Sequence, residues 1–284
     1  MNRRILILGS GGQIGAYLTD YLNKIGYEVL EFDIVNGLHH DMTEIPNPEL
    51  HRKIMLSHFV FFLAFDVGGA HYLKKYQHTF KFIDNNARMM ANVFGLLEKY
   101  DKPFVFASSQ MSNMSYSPYG VMKRVGELYT KSLGGLIVKF WNVYGIEKDM
   151  EKAHVITDFI RKGFETGVID MMTDGTESRE FLYAEDCCEG LEAVMGNYDR
   201  LTSDDELHIT TGNSTTILEI AQSIQKLFFN IGKEVVIKPA ESKDEVQKDA
   251  KNVSDPYIQK FWRSTTSVKE GLTKVFYEMK KNYE

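Results

Sequence analysis

Short apolar runs alternate with longer segments of helical periodicity along most of the chain. The runs have the length of strands, and they lie at residues 5–8, 27–33, 59–64, 103–110 and 136–141, with shorter ones at 207–209 and 235–237. Apolar residues at helical spacing predict helices over 17–25, 80–99, from 118 onward, 151–166, 185–195, 217–229 and 268–280. Several runs are continuously apolar, as in parallel strands covered on both faces. The pattern predicts an α/β fold with a doubly wound parallel sheet.

Composition and charge narrow the class of protein. The 284 residues are 43% hydrophobic and 25% charged, which is typical of a globular chain. A net charge of −6 without a long basic run argues against a nucleic-acid partner. The absence of an apolar stretch of about 18 residues argues against a membrane span, and a first strand that starts by residue 4 leaves no room for a signal peptide. We therefore expect a cytoplasmic protein.

A glycine-rich turn follows the first predicted strand and precedes the first helix. The spacing Gly9-x-x-Gly12-x-x-Gly15 fits one form of the dinucleotide-binding fingerprint. The form with glycines at positions 9 and 11 would need a third glycine at position 14, where Ile14 stands. Such glycines end the strand, let the main chain approach a pyrophosphate, and let the helix pack close to the sheet. The phosphates then lie at the helix N-terminus. An ordinary loop is the alternative, since this pattern is weak evidence by itself.

An acidic residue ends the second predicted strand. Asp33 lies 18 residues after Gly15, close to the roughly 20 expected of a carboxylate that binds the adenosine ribose. This carboxylate would repel a 2′-phosphate, so NAD is favoured over NADP; a simple turn residue is the alternative. Asp41 could bond the adenine amine or cap a short helix. Further cofactor contacts are expected from Gln13, Ile14, Met42 and Ala64.

Candidate catalytic residues follow the strand at 103–110. Ser108 and Ser109 lie at its carboxyl end, and Tyr119 and Lys123 lie four apart on one face of the next helix. A tyrosine with its ordinary pKa near 10 is a poor base at neutral pH, but a neighbouring ammonium favours the phenolate. We therefore predict that Tyr119 is a general base, that Lys123 assists it, and that both residues contact the cofactor. Ser109 would hold, by a hydrogen bond, the substrate oxygen on which Tyr119 acts.

These motifs together resemble the extended short-chain dehydrogenase/reductase family, specifically its NAD-dependent nucleotide-sugar epimerases and dehydratases. Two further motifs carry the resemblance, Asn142-Val143-Tyr144-Gly145 and the segment 178–186 around Arg179. The resemblance implies a Rossmann-type sheet over residues 1–144, with segments near 180–212 returning to it. It also implies a smaller α/β substrate-binding lobe, mainly 145–284, and a homodimer.

The resemblance also assigns substrate contacts. Asn142 would contact a nucleoside-diphosphate sugar, although it could simply form a turn. Arg179 would bind the diphosphate through its planar fork, although a surface pair with Glu177 or Glu180 is the plainer interpretation. Gly68-Gly69 is interpreted as a wall of the substrate site or as a plain loop, and the charged segment 241–251 as a mobile surface loop.

The implied reaction is transient oxidation of a sugar hydroxyl, at C4, by Tyr119 and NAD, with an epimer as the product. Related 4,6-dehydratases carry acidic residues after the active-site serine, but Gln110 and Met111 stand there. Epimerisation or oxidation is therefore favoured over dehydration. The segment between Ser109 and Tyr119 is shorter than is usual in the family, so the identity of the sugar is not determined. The segment 66–69 resembles the corresponding segment of enzymes that act on GDP-sugars. A non-catalytic NAD sensor or scaffold, an NAD-dependent dehydrogenase and a 4,6-dehydratase are the alternatives. No metal ligand pattern appears among the cysteines and histidines.

Overall fold

The structure is a computed structural model, and it describes residues 3–247 and 253–284. Its strands are β1 (Arg4–Leu8), β2 (Glu28–Phe32), β3 (Phe59–Phe62), β4 (Phe104–Ser109), β5 (Leu136–Phe140), β6 (Asn142–Tyr144), β7 (Val168–Asp170), β8 (Ser178–Tyr183), β9 (Leu207–Ile209), β10 (Ser214–Thr216) and β11 (Val236–Lys238). Its helices are α1 (Gln13–Lys24), α2 (Pro48–Leu56), α3 (Ala70–Tyr76), α4 (Phe80–Tyr100), α5 (Pro118–Ser132), α6 (Val155–Thr166), α7 (Ala184–Gly196), α8 (Ile217–Asn230) and α9 (Val268–Lys280). Strands and helices therefore alternate through most of the chain.

The central sheet has six parallel strands in the order β2-β1-β3-β4-β5-β9. The chain passes from β1 outward to β2 and then crosses back to β3 on the other side of β1. The strand order therefore reverses between β1 and β3, which is where open α/β sheets bind their ligands. The predicted doubly wound parallel sheet is confirmed.

Apolar layers cover both faces of this sheet, which explains why its inner strands are continuously hydrophobic. On one face, buried residues of α1 and α7 such as Leu18, Leu22 and Leu191 pack against the sheet. On the other face, α2 and α4 contribute residues such as Leu50 and Phe94. Because both faces are buried, the open carboxyl edge of the sheet is the part left to carry a ligand site.

A smaller α/β lobe is formed mainly by the later part of the chain. It contains a three-stranded sheet in the order β10-β8-β6, a β11-β7 pair, and helices α6, α8 and α9 around a separate apolar core. Helix α8 begins with a capping box in which Thr216 and Glu219 bond each other's backbone. The lobe faces the carboxyl edge of the central sheet through β6 and β8.

Two sequence predictions differ from the structure. The helix predicted over 151–166 begins only at Val155, because Gly69 N–H donates to the Lys152 carbonyl (2.9 Å) and holds the preceding backbone in a loop. A side chain on Gly69 would lie 2.4 Å from the Ala153 carbonyl oxygen. The second difference is the segment predicted as a mobile surface loop: Val246 is buried and packs near Tyr119. Residues 248–251 of that segment lie outside the described residues.

Within 3–247 and 253–284, none of the helices is long and apolar enough to cross a membrane. The same ranges contain no group of three or more histidine, cysteine or acidic side chains placed to hold a metal ion. Cys187 and Cys188 are both buried in α7 as free thiols.

Candidate active site

Two adjoining clefts open at the carboxyl edge of the central sheet. The first, about 730 Å³, is lined by the glycine turn after β1 and by Asp33, and we call it the glycine cleft. The second, about 460 Å³, is lined by Arg179 and the lobe, and we call it the arginine cleft. Tyr119, Ser109 and Asn142 line both. A ligand in one cleft would therefore meet a ligand in the other at these residues.

The glycine turn has the geometry of a dinucleotide-binding turn. Gly9 has φ +93°, and a side chain there would meet the Ala64 backbone at 2.7 Å, so β1 and β3 approach closely at the switch point. A side chain on Gly15 would lie 2.0 Å from the Gly9 carbonyl oxygen. Gly12 caps α1 and leaves the first amides of that helix open to the cleft. The residues present therefore fit the pyrophosphate of NAD.

Asp33 lies beside this turn at the end of β2. Its carboxylate accepts hydrogen bonds from the Gly11 amide (3.0 Å) and the Val35 amide (3.1 Å), and it lines the glycine cleft. The side chain therefore acts as a turn cap and also faces the space where a ribose would lie. Both interpretations made from the sequence are compatible with this position.

The remaining predicted cofactor contacts all line the glycine cleft: Gln13, Ile14, Asp41, Met42 and Ala64. Asp41 does not cap a helix, since its carboxylate accepts from the amide (2.8 Å) and hydroxyl (2.7 Å) of Thr43. Asn47 caps the next helix instead. The side-chain amide of Gln13 lies within hydrogen-bonding distance of the Gly145 backbone, which ties α1 to the lobe.

Ser109, Tyr119 and Lys123 converge where the two clefts join. The start of α5 is fixed by Ser117, whose hydroxyl accepts from the Gly120 amide, and by Pro118 in the first turn. Tyr119 and Lys123 are consequently on one face of this helix, and the Ser109 side chain hydrogen-bonds Tyr119. Lys123 Nζ donates to the Ala107 carbonyl at 2.6 Å.

One aromatic neighbour of this group was not predicted from the sequence. The Phe65 ring packs edge-on against Tyr119, with centroids 5.7 Å apart, and Lys123 Nζ lies 3.7 Å from its centroid. The ring face attracts the ammonium and fixes its position. No motif indicated this residue, because its role depends on β3 and α5 meeting in space.

Burial controls the ionisation of the pair. It raises the pKa of Tyr119 to about 12, although the Ser109 hydrogen bond acts in the opposite direction. It also lowers the pKa of Lys123 to about 7, partly offset by the Glu127 carboxylate. Without a ligand, burial therefore favours the neutral forms of both side chains. A ligand that adds positive charge or hydrogen bonds to the phenolate would make Tyr119 a better base.

The buried lysine predicts a pH-dependent stability. An unfolded lysine has a pKa near 10.4, so between pH 7 and that value the unfolded chain binds a proton that the folded chain does not. The free energy of unfolding therefore rises with pH through this window. Relative to Lys123→Met, the wild type should gain about 3 kcal/mol between pH 6 and 9. Denaturant unfolding of the dinucleotide-free protein measures this. A difference that stays constant with pH would contradict the lowered pKa of Lys123.

A second pair of titratable groups lines the clefts and was also missed. Glu147 is buried, and its carboxylate accepts from the His154 backbone amide (2.8 Å) and from Nδ1 of the same histidine (2.6 Å). Burial acts to lower the pKa of His154, but the Glu147 carboxylate outweighs this and raises it overall. Among the described residues the other ring nitrogen, Nε2, has no partner. His154 Nε2 is therefore available to bond a ligand in either cleft.

The predicted substrate contacts lie in the arginine cleft. The Asn142 amide nitrogen is buried and has no hydrogen-bond partner within the described part of the chain. Arg179 is buried, donates to the Ser178 carbonyl (2.7 Å), and pairs with Asp244. The predicted surface pair with Glu177 or Glu180 is therefore absent from the described residues. The other carboxylate oxygen of Asp244 accepts from the Val246 amide at 2.8 Å.

Fold and cleft together define a Rossmann-type dinucleotide-binding protein. The model of the NAD dependent epimerase/dehydratase family matches residues 5–210, and the chain belongs to that family. It is therefore an enzyme that uses NAD, which confirms the cofactor and the family resemblance expected from the sequence.

Similar proteins act on nucleotide sugars. The chain is 23% identical to UDP-glucuronic acid decarboxylase 1 of Danio rerio, covering 96% of this chain and 71% of that protein. It is 28% identical to UDP-N-acetyl-alpha-D-glucosaminuronate decarboxylase of Bacillus cytotoxicus, covering 80% and 81%. An epimerase of Methanothermobacter thermautotrophicus has the same fold, with a TM-score of 0.85 at 21% identity, covering 99% of this chain and 93% of that one.

Proposed function

We propose that this enzyme is a nucleotide-sugar epimerase that works by transient oxidation of a sugar hydroxyl, with C4 as the reacting carbon. The observation that carries the proposal is that Ser109 and Tyr119 line both the glycine cleft and the arginine cleft, with Lys123 beside them in the glycine cleft. NAD bound in the glycine cleft would accept the hydride from the sugar carbon. A nucleoside-diphosphate sugar in the arginine cleft would then present its hydroxyl to Tyr119.

The chain's own residues supply proton transfer and orientation. Tyr119 removes the hydroxyl proton through its phenolic oxygen, and the Lys123 ammonium stabilises the phenolate. Ser109 holds the substrate oxygen, and the unpartnered Asn142 amide donates to the sugar nucleotide. Returning the proton and hydride to the opposite face of the ketone gives the epimer. Gln110 and Met111 offer no acid for dehydration, which supports epimerisation.

The Glu147–His154 pair favours a second candidate, epimerisation at a carbon next to the ketone. A ketone makes the neighbouring C–H bonds acidic. His154 Nε2 is available to take such a proton, since Glu147 fixes its ring through Nδ1 at 2.6 Å. This pair lies apart from Tyr119 in sequence and on the lobe side of the clefts.

The test is incubation of the NAD-loaded enzyme in D₂O with UDP-, GDP-, CDP- and dTDP-sugars, followed by mass spectrometry and NMR. An isomer of unchanged mass, without carbon-bound deuterium, is expected from epimerisation at C4. The second candidate would be supported instead if the wild type incorporates deuterium at a neighbouring carbon and the His154→Asn variant does not. A product two mass units lighter with accumulating NADH would identify a dehydrogenase. Loss of water would identify a dehydratase, and no turnover of any sugar would contradict the proposal.

A further inference from the structure

The arginine cleft continues beyond Arg179 to an unsatisfied carboxylate. Glu177 lines the cleft, and its Oε1 accepts from the Thr173 hydroxyl at 2.6 Å. Its other oxygen, Oε2, is buried and has no hydrogen-bond partner among residues 3–247 and 253–284. A buried carboxylate oxygen without a donor is costly. A ligand that brings an N–H group to this oxygen would remove that cost.

The position of Glu177 relates it to the proposed diphosphate site. It precedes β8 by one residue, and because side chains alternate along an extended chain, it lies on the same side as Arg179. Two residues of extended chain separate them by about 6.6 Å. Both side chains line the arginine cleft, so one ligand that extends along the cleft can contact both of them. If Arg179 binds the diphosphate of such a ligand, Glu177 is a neighbouring polar group that can contact its nucleobase.

The surroundings of Glu177 suit a flat base. Ile217 and Phe181 are both buried and line the same cleft, so they give it apolar surface. The Ile217 amide donates to the Glu177 carbonyl at 3.1 Å, which fixes the backbone at this point. Apolar walls with a few fixed polar groups are the usual design of a ligand pocket.

The chemistry of the bases separates the possible nucleotides. Guanine presents two adjacent donors, N1–H and the 2-amino group, which can meet both oxygens of one carboxylate. The uracil N3–H lies between two carbonyl oxygens that a carboxylate repels. Cytosine and adenine place one amino donor beside a ring acceptor. A carboxylate therefore discriminates in favour of guanine, since unmatched polar groups in a buried site are strongly rejected.

We propose that Glu177 selects guanine nucleotides, so that the substrate is a GDP-sugar. This rests on the proposed function, because it takes the arginine cleft as the site of a nucleotide sugar. Glu177 accepts from N1–H and the 2-amino group, while Arg179 meets the diphosphate.

Calorimetric titration of the NAD-loaded enzyme with bare GDP, IDP and UDP tests the base without requiring turnover. GDP should bind at least about tenfold more tightly than UDP, since a hydrogen bond to a charged group is worth about 1.5–3 kcal/mol. IDP, which lacks the 2-amino group, should fall between them. Glu177→Gln should weaken GDP binding about 10- to 100-fold with little change for UDP. Glu98→Gln, on an exposed position of α4, is the matched control.

Two results would overturn the inference. One is UDP binding as tightly as GDP in the wild type, a comparison that needs no variant to fold. The other is a loss of affinity in Glu177→Gln that is equal for all three nucleotides. If the enzyme turns over UDP- or dTDP-sugars while GDP-sugars are inert, the base assignment fails and the proposed function stands. If no nucleoside diphosphate binds, the proposed function fails together with the inference.

Discussion

Replacing Tyr119 with phenylalanine should lower kcat about 10²- to 10⁴-fold, the range that a positioned acid–base group contributes. The ring would still pack edge-on against Phe65, so the side chain loses only its hydroxyl. Binding of NAD and of the nucleotide sugar should therefore change little. Steady-state turnover and calorimetric titration with NAD measure the two effects separately. Tyr277→Phe, in an exposed position on α9, is the control and should leave kcat unchanged.

A Tyr119→Phe enzyme that keeps wild-type turnover would show that another group removes the proton. His154 would then be the first residue to test, because its Nε2 is open to the same clefts. A variant without turnover that still fulfils its physiological role would instead favour the non-catalytic sensor. The first result would mean that Tyr119 is not the base. The second would mean that the physiological role does not depend on catalysis.

Replacing Gly15 with alanine should damage both the fold and the cofactor site. The added methyl group would lie 2.0 Å from the Gly9 carbonyl oxygen, far inside van der Waals contact, and backbone atoms cannot rotate away. We expect a loss of about 1–3 kcal/mol or more in the free energy of unfolding. The affinity for NAD should fall at least about tenfold, since a distortion of about 1.4 kcal/mol suffices for that. Denaturant unfolding and NAD titration measure the two quantities.

Gly95→Ala provides the matched control for this variant. Gly95 also lies inside a helix, α4, but nothing lies within 4 Å of an added methyl group. The substitution should therefore stabilise the protein by about 0.5–1 kcal/mol through the unfolded state. Equal behaviour of the two variants would mean that helical propensity, and not the contact with Gly9, determines the outcome at Gly15.

Local patterns predicted much of this molecule because they need only neighbouring residues. The glycine turn, the acid after β2 and the Tyr119–Lys123 spacing are each set within one strand–turn–helix unit. The inner strands were recognisable because both of their faces are buried. The family resemblance indicated that these units form one site, since each lies at the carboxyl end of a parallel strand.

The features that were missed depend on residues far apart in sequence. Asp244 and Arg179, which form an ion pair, are 65 positions apart in the sequence. The Gly69 amide and the Lys152 carbonyl, which form a hydrogen bond, are 83 positions apart. No periodicity or spacing indicates such contacts. The helix predicted from 151 starts late for the same reason, because a tertiary hydrogen bond outweighs local helical preference there. A site role for His154 was not predicted, because a single histidine in a sequence does not reveal its carboxylate partner.

The order of strands in the central sheet has a consequence for how the chain reaches its native state. Strand β9 is one of the two edge strands and pairs with β5, yet residues 141–206 lie between them. Bringing together two strands so far apart in the sequence costs chain entropy before any pairing energy is gained. The inner strands are linked by much shorter crossovers and can associate earlier. We therefore expect β9 to dock late in assembly, and until it docks β5 would present an unpaired edge to other chains.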